Sequence, residues 1–449
     1  MKKSLFALAA LGAIASTAQA QSSVTVYGVI DEAYVGATTR IANNGQTVNG
    51  ITQSGAGTAV NATASALTSG AESTSRLGFK GNEDLGGGLS AFFTYELGLN
   101  PNSAQVLTPD DTQDRQAFVG FKKNNVGQVA IGTQYTTIFN AVAVTDPGMQ
   151  NNMMGNVIYD KATNASPSLG TATGSTTTYS PATAANYYNG MQNNTSFTVR
   201  AANMLSVSSD TFSGFQGNAF YVMNNSNTNQ APTTAGQAGY LASTGNTTHT
   251  AFGIGANYTI QKAFITANFQ NFTDKAAYTL NPSTGVYSVG TPVQNGYAGQ
   301  VATGTNSRDN QQYYAATYDF GILKAYLQYV NRKTMDVNNP NNYIARTAQQ
   351  IGVRSYITPV VESWASVGTG KYTVSGAAAN AYVGGTSTIG SNAANFGAFQ
   401  LGTNYWLSKR TNLYAIYGQE HTSNQTYIAN GNPTSFNSNN YAVGVRHTF

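Results

Sequence analysis

The residues that could do chemistry in this chain are few, and arginines stand out among them. Charged residues make up 9% of 449, against about 25% in an ordinary soluble domain. Arg76, Arg115 and Arg200 lie in segments where apolar and polar residues alternate. A guanidinium stays ionised and offers five donors, so arginines around a narrow wet space would set up a field that orients dipolar solutes and biases ion flow. Groupings for catalysis do not emerge. His249, His421 and His447 are the three histidines, and nothing spaces them with a serine or a second ligand as a triad or metal site needs. The run NEDLGGG (82–88) follows one strand and opens another, not the helix that a phosphate loop needs. Neither an enzyme nor a cofactor or metal is expected. Without Lys2 and Lys3 the balance is 20 basic to 18 acidic residues, which leaves no clustered basic footprint for nucleic acid.

The elements that must position these charges read as strands. In 89–100 the set Leu89, Ala91, Phe93, Tyr95, Leu97 and Leu99 is apolar, while Ser90, Phe92, Thr94, Glu96, Gly98 and Asn100, mostly polar or small, fall between. Period two with one apolar face marks a strand between two solvents. Similar runs place about sixteen strands, near 24–36, 72–82, 88–99, 113–123, 126–136, 191–208, 212–223, 249–259, 262–273, 310–319, 322–333, 344–358, 361–374, 394–407, 411–421 and 439–449. Many are as long as the ~9–11 residues of a tilted membrane-spanning strand. The connections between them alternate short and long, as when tight turns occupy one end of a barrel and large loops the other. In hydrocarbon every backbone N–H and C=O must be paired, so the sheet is expected to close. The fold class is therefore all-β, a transmembrane antiparallel barrel with a wet lumen.

The longest connection, 137–190, is too long to be an idle loop. It is expected to fold back into the bore and face Arg76, Arg115 and Arg200. Arg76 alternates with Leu77 and Phe79, which sends it inward with Gly78 and Lys80; Arg115 is expected inward on the row of Ala117 and Val119. Glu96 lies on the polar face of its strand. Arg346 and Arg354 share one face, and both could line the bore or anchor loops or headgroups. Asp31 and Glu32 must point to opposite faces. Aromatics near strand ends, among them Tyr27, Phe121, Phe272, Tyr329, Trp406 and Phe449, suit an interfacial girdle. The first twenty residues read as an export signal: Lys2 and Lys3, an apolar run, then Ala18-Gln19-Ala20 as a cleavage site. Residues 21–449 follow as one domain without cysteine.

SRLGFKGNEDLGGGL (75–89), DRQAFVGFKKNNVGQVAIGTQYT (114–136) and the terminal YAVGVRHTF (441–449) resemble the sixteen-stranded trimeric general porins of Gram-negative outer membranes. The resemblance implies an outer-membrane channel for passive diffusion of ions and small hydrophilic solutes. It implies a pore narrowed by the third external loop, with wall arginines at Arg76, Arg115 and Arg200 and Asp146 as the acid on the loop. A further family arginine position is Thr133 here. It also implies a homotrimer embedded in lipid and lipopolysaccharide. Tyr441, Val443, Val445, His447 and Phe449 would form the signal read by the barrel-assembly machinery. A solute-specific channel with a tyrosine track for sugars, and a structural or adhesive barrel, are the competing readings.

Overall fold

The computed structural model describes residues 23–42, 59–102, 113–160, 192–194, 196–228, 243–275, 306–337, 343–375, 392–425 and 434–449, with short pieces at 47–48, 51–52, 278–280, 287–288 and 340–341. The segment expected to be an export signal and residues 161–190 of the long loop lie outside them.

Sixteen strands form one wall. They are β1 Ser23–Ala42, β2 in two pieces (Ala59–Ser69 and Arg76–Gly86), β3 Leu89–Gly98, β4 Gln113–Lys123 and β5 Gly127–Tyr135. After the long loop come β6 Thr198–Ser209, β7 Phe215–Thr228, β8 Ser243–Ile260, β9 Ala263–Lys275, β10 Asn306–Asp319 and β11 Lys324–Asp336. The wall ends with β12 Tyr343–Thr358, β13 Val361–Ser375, β14 Asn392–Trp406, β15 Thr411–Gln425 and β16 Thr434–Thr448. Neighbours pair antiparallel, and β16 returns to β1 from Val29↔Thr448 to Ile41↔Phe436. The sheet is closed, so no edge carries a row of unpaired backbone groups.

Alternation decides which face each residue takes. Leu67, Val119, Ile131, Ile254, Leu327, Val367 and Val443 are among the large apolar side chains left exposed; they form the outer band that hydrocarbon would cover. The rows between them are inward and largely polar. Gln270, Gln311, Gln328, Gln350 and Gln400 are buried there. Amide side chains suit that wall because each both donates and accepts.

Several strands run further than their alternation suggests. β1 reaches Ala42, β8 starts at Ser243 and β16 at Thr434. These extensions are rich in Ser, Thr and Asn and are held by backbone pairing and hydroxyl contacts such as Thr39–Ser438, so no apolar period marks them. Ala59–Ser69, placed in a loop by the sequence pattern, is the upper half of β2. β6 begins at Thr198 rather than 191. The turns between paired strands are tight, and Gly86, Gly87 and Gly88 all take positive φ, a region that costs a side-chain-bearing residue.

The long loop does not begin as irregular chain. Thr137–Thr145 is a helix, α1, capped by Thr136, whose side chain accepts from the Phe139 N–H. The sequence TIFNAVAVT hides it, because β-branched and aromatic residues dominate. Ile138, Phe139 and Val142 of α1, with Val157, Ile158 and Phe197, pack against the inward Tyr313, Ala315, Val330, Ala348, Phe396 and Ala398. The main apolar core therefore lies inside the barrel, between this segment and the wall.

Candidate functional site

The segment 137–160 crosses the inward rows from β8 to β2. Thr145 shares a hydrogen bond with the Tyr313 hydroxyl at 2.5 Å. The Val157 N–H donates to Gln350 at 3.1 Å, and Asn151 Nδ2 to Gln400 at 2.6 Å. Asn152 reaches the break in β2, donating to Gly70 O at 2.7 Å. Where the segment lies close, the wall carries glycine: a Cβ on Gly418 would meet Met154 O at 1.7 Å, and one on Gly352 would meet Pro147 at 2.5 Å.

Arg76, Arg115 and Arg200 come together. Glu96, on β3, is the acid among them. Arg115 Nε donates to Glu96 Oε1 at 2.7 Å, and Arg115 Nη2 to the Tyr135 hydroxyl at 2.8 Å. Arg76 stands 3.9 Å from the same carboxylate, and the Tyr27 hydroxyl donates to its other oxygen at 3.0 Å. Arg200 pairs in register with Tyr135 across β5 and β6. It is 1% exposed, and its Nε and Nη1 have no hydrogen-bond partner among the described residues. Two guanidinium groups thus meet one carboxylate, and a third guanidinium, Arg200, stands in register with Tyr135, which accepts from Arg115.

A bulge turns Arg115 inward. Glu96 pairs with Gln116 and Leu97 with Asp114, so Arg115 is the unpaired extra residue. Ala117 and Val119 do not share its direction; Val119 is 58% exposed on the outer band. The face expected for Arg115 is right, but the companions expected on that row are not. An extra residue reverses the phase of the strand beyond it.

Asp146 is not brought to this cluster. It lies just past α1, 2% exposed, and accepts from the Gln150 N–H at 2.6 Å and from Asn156 Nδ2 at 2.8 Å. Burial pushes its carboxyl above the ordinary range, against the pull of these bonds and of Arg354. Tyr159, on the same segment, is pushed up to about 12 by burial, while Arg115, Arg200 and Arg76 pull it down. Thr133 is the register partner of Ala117, in the row of Val119 and Ile131 rather than beside the arginines. Lys80 stands over the Tyr27 ring, 5.4 Å from its centroid.

Arg346 and Arg354 share the inward row of β12, but they hold the loop. Arg346 donates to Val157 O at 2.8 Å and Ser196 Oγ at 2.6 Å, and pairs with Asp160 at 3.2 Å. Arg354 donates to Pro147 O at 2.7 Å and pairs with Glu362 at 2.6 Å. Arg332 belongs with them: it donates to Asn194 O at 2.8 Å and pairs with Asp309 at 2.6 Å. The sequence offered no sign of Arg332, Asp309, Asp160 or Glu362, because Arg332–Asp309 and Arg354–Glu362 meet only once neighbouring strands are set in register, and Asp160 reaches Arg346 only through the fold of the long loop.

Of the girdle aromatics, Phe272 instead faces inward against Phe220. Trp406 donates to Glu362 and Tyr27 to Glu96. Their polar partners and apolar neighbours lie on the inner rows. At the terminus Tyr441, Val443 and Val445 are exposed, His447 meets Thr411, and Phe449 pairs with Gly28 through both backbone groups at 3.1 Å. Among the described residues no group of His, Cys, Asp and Glu could hold a metal ion.

A family profile described as Gram-negative porin matches residues 7–425. An outer membrane porin protein of Bordetella pertussis is 32% identical over 36% of this chain and 43% of its own length. Outer membrane porin protein 32 of Delftia acidovorans is 47% identical over 21% of this chain and 22% of its own. The chain thus aligns with less than half the length of either relative. Among solved structures, the anion-selective porin from Comamonas acidovorans has a TM-score of 0.53 at 17% identity, covering 96% of this chain and 100% of its own. OmpT of Vibrio cholerae has 0.53 at 13% identity, with the same coverage. At these identities the structural likeness speaks for the fold.

Proposed function

The chain belongs to the Gram-negative porin family, and from that premise we propose that it forms a water-filled outer-membrane channel for passive diffusion of ions and small hydrophilic solutes. The carrying observation is the barrel's two-faced wall, apolar outside and amide-rich inside, with residues 137–160 laid across its inner rows. Family and fold are those of channel proteins; the reading assigns no catalysis. The restriction is the gap between the loop and the cluster of Arg76, Arg115, Arg200 and Glu96. The surplus of arginine over carboxylate there favours anions modestly, since charges lining a narrow lumen bias the ions that pass. Asp146 supports the loop from within rather than supplying the opposing charge.

The remaining parts of the reading rest on sequence and family. Residues 1–20 act as a leader cleaved after Ala20, the mature chain assembles as a homotrimer in lipid and lipopolysaccharide, and the segment ending at Phe449 is read by the assembly machinery. The tyrosine-track alternative loses support: Tyr34, Tyr95, Tyr314 and Tyr441 are exposed on the outer band, and Tyr313 and Tyr414 are buried against inward-folded chain.

The test is the reversal potential of the refolded protein in a planar bilayer under a salt gradient. A conducting channel with mild anion preference, reduced in Arg115→Ala, is expected. Absence of conductance from correctly folded protein would remove the proposal.

A further inference from the structure

The break in β2 is a second inward-folded element. The pairing of β1 with β2 jumps from Glu32↔Ser69 to Val29↔Arg76. Two residues of β1, Ile30 and Asp31, therefore face six residues of β2, 70–75. The excess cannot stay in the ladder and leaves the sheet. Gly70 starts the departure at φ +80, with its N–H on Asp31 O at 2.8 Å.

The departing flap lies on the inner side. Glu72 accepts from Asn404 at 2.8 Å and Asn412 at 2.9 Å, and sits 3.5 Å from Arg446. Ala71 packs among Met153, Trp364, Tyr414 and Ile416.

Asp31 fixes its shape. One carboxylate oxygen accepts the backbone N–H groups of Glu72 at 2.9 Å and Ser73 at 2.5 Å. The other accepts the Tyr414 hydroxyl at 2.5 Å, and the Asp31 N–H donates to Ser75 Oγ at 3.0 Å. Asp31 is fully buried. Two consecutive N–H groups aimed at one oxygen cannot be satisfied by an apolar side chain, and buried donors left unpaired are costly.

The flap touches both sides of the restriction. Toward the loop, Asn152 donates its N–H to Ala71 O at 3.0 Å and its side-chain amide to Gly70 O and Thr74 Oγ1. Toward the wall, Ser73 Oγ accepts from Arg76 Nη2 at 2.6 Å. We propose that flap 70–75, shaped by Asp31, is a positioning device that holds the loop at Asn152 and Arg76 at a fixed separation and so sets the channel's single conductance level and part of its ion preference. This rests on the channel reading above and adds residues outside the loop to it.

The experiment records single channels of wild type, Asp31→Ala, Asn152→Ala and Ser73→Ala in planar bilayers, after heat-modifiable gel migration has shown each barrel folded. Asn152→Ala should lose the steady level and flicker between substates. Ser73→Ala should keep the level and shift the reversal potential, because only Arg76 is released. Asp31→Ala should do both; where it fails to fold, the other two decide. A quiet wild-type channel with Asn152→Ala and Ser73→Ala indistinguishable from it would overturn the flap proposal while leaving the channel reading intact. A folded wild type that does not conduct would instead remove the channel reading.

Discussion

Arg332, Arg346 and Arg354 on one side of the bore differ from Arg76, Arg115 and Arg200 on the other in how their charge is answered. Each of the first three has its own carboxylate, Asp309, Asp160 or Glu362, and each spends a further donor on a carbonyl of the long loop. Of the second three, Arg76 and Arg115 share Glu96, and Arg200 has donors with no partner among the described residues. A neutralised buried arginine is a structural clamp. A surplus of arginines leaves a field. The same residue type on the same kind of row thus clamps the long loop on one side and, in the proposed channel, charges the restriction on the other.

The comparison breaks most visibly at the clamp. Arg332→Ala would leave Asp309 buried without its partner, and removing one member of such a pair costs about 3–5 kcal/mol. The expected outcome is a lower unfolding midpoint in denaturant, with ion preference barely changed because the lost charge was already balanced. An unfolding curve matching wild type would mean that the clamp carries no load.

The field side should behave in the opposite way. Glu96→Gln removes the acid shared by Arg76 and Arg115, and Arg115→Ala removes one of the bases. A unit charge at contact distance in watery surroundings is worth about 1 kcal/mol, so each change should move the anion-to-cation permeability ratio by up to about fivefold, upward for Glu96→Gln and downward for Arg115→Ala. Reversal potentials in a salt gradient measure both. If the two variants shift the ratio in the same direction, the cluster is not what sets the preference.

Asp146 gives a smaller, pH-dependent effect on the clamp side. Its carboxyl is raised in the folded protein by burial, so its protonated form is the one the fold favours. Its contribution is present at acid pH and declines as pH rises through the raised value. Asp146→Asn should flatten that part of the profile of unfolding midpoint against pH. An unchanged slope would show that Asn156 and Gln150 already compensate the charge.

The architecture was legible because membrane solvent imposes a strict period. Residues 89–99 alternate so plainly that face assignment needed nothing else, and Arg76 follows from Leu77 and Phe79. The site was legible only in part. Arg115 points inward through a bulge that one strand read alone cannot show, since a bulge is a mismatch between two strands. Asp309 and Glu362 resemble any other lumen acid until the arginines of neighbouring strands are placed beside them. The β2 flap was missed because the pattern starts a strand at residue 72, inside it, and because the partners of Glu72 lie more than three hundred residues away, at Asn404 and Asn412.

Thr133 offers the smallest and most discriminating test. Family resemblance places it at a wall-arginine position, whereas its register partner is Ala117, on the row with Val119 and Ile131. Position in a motif and position in the bore therefore disagree for this residue. Thr133→Ala removes one hydroxyl from a site with no charge, a change expected to stay within about 0.5 kcal/mol in stability, and it should leave the reversal potential where wild type has it. A measurable shift in ion preference would mean that Thr133 meets the aqueous path after all. The phase of β5 beyond Gly132, whose φ of +138 already departs from regular strand, would then have to be redrawn, and the arginine cluster with it.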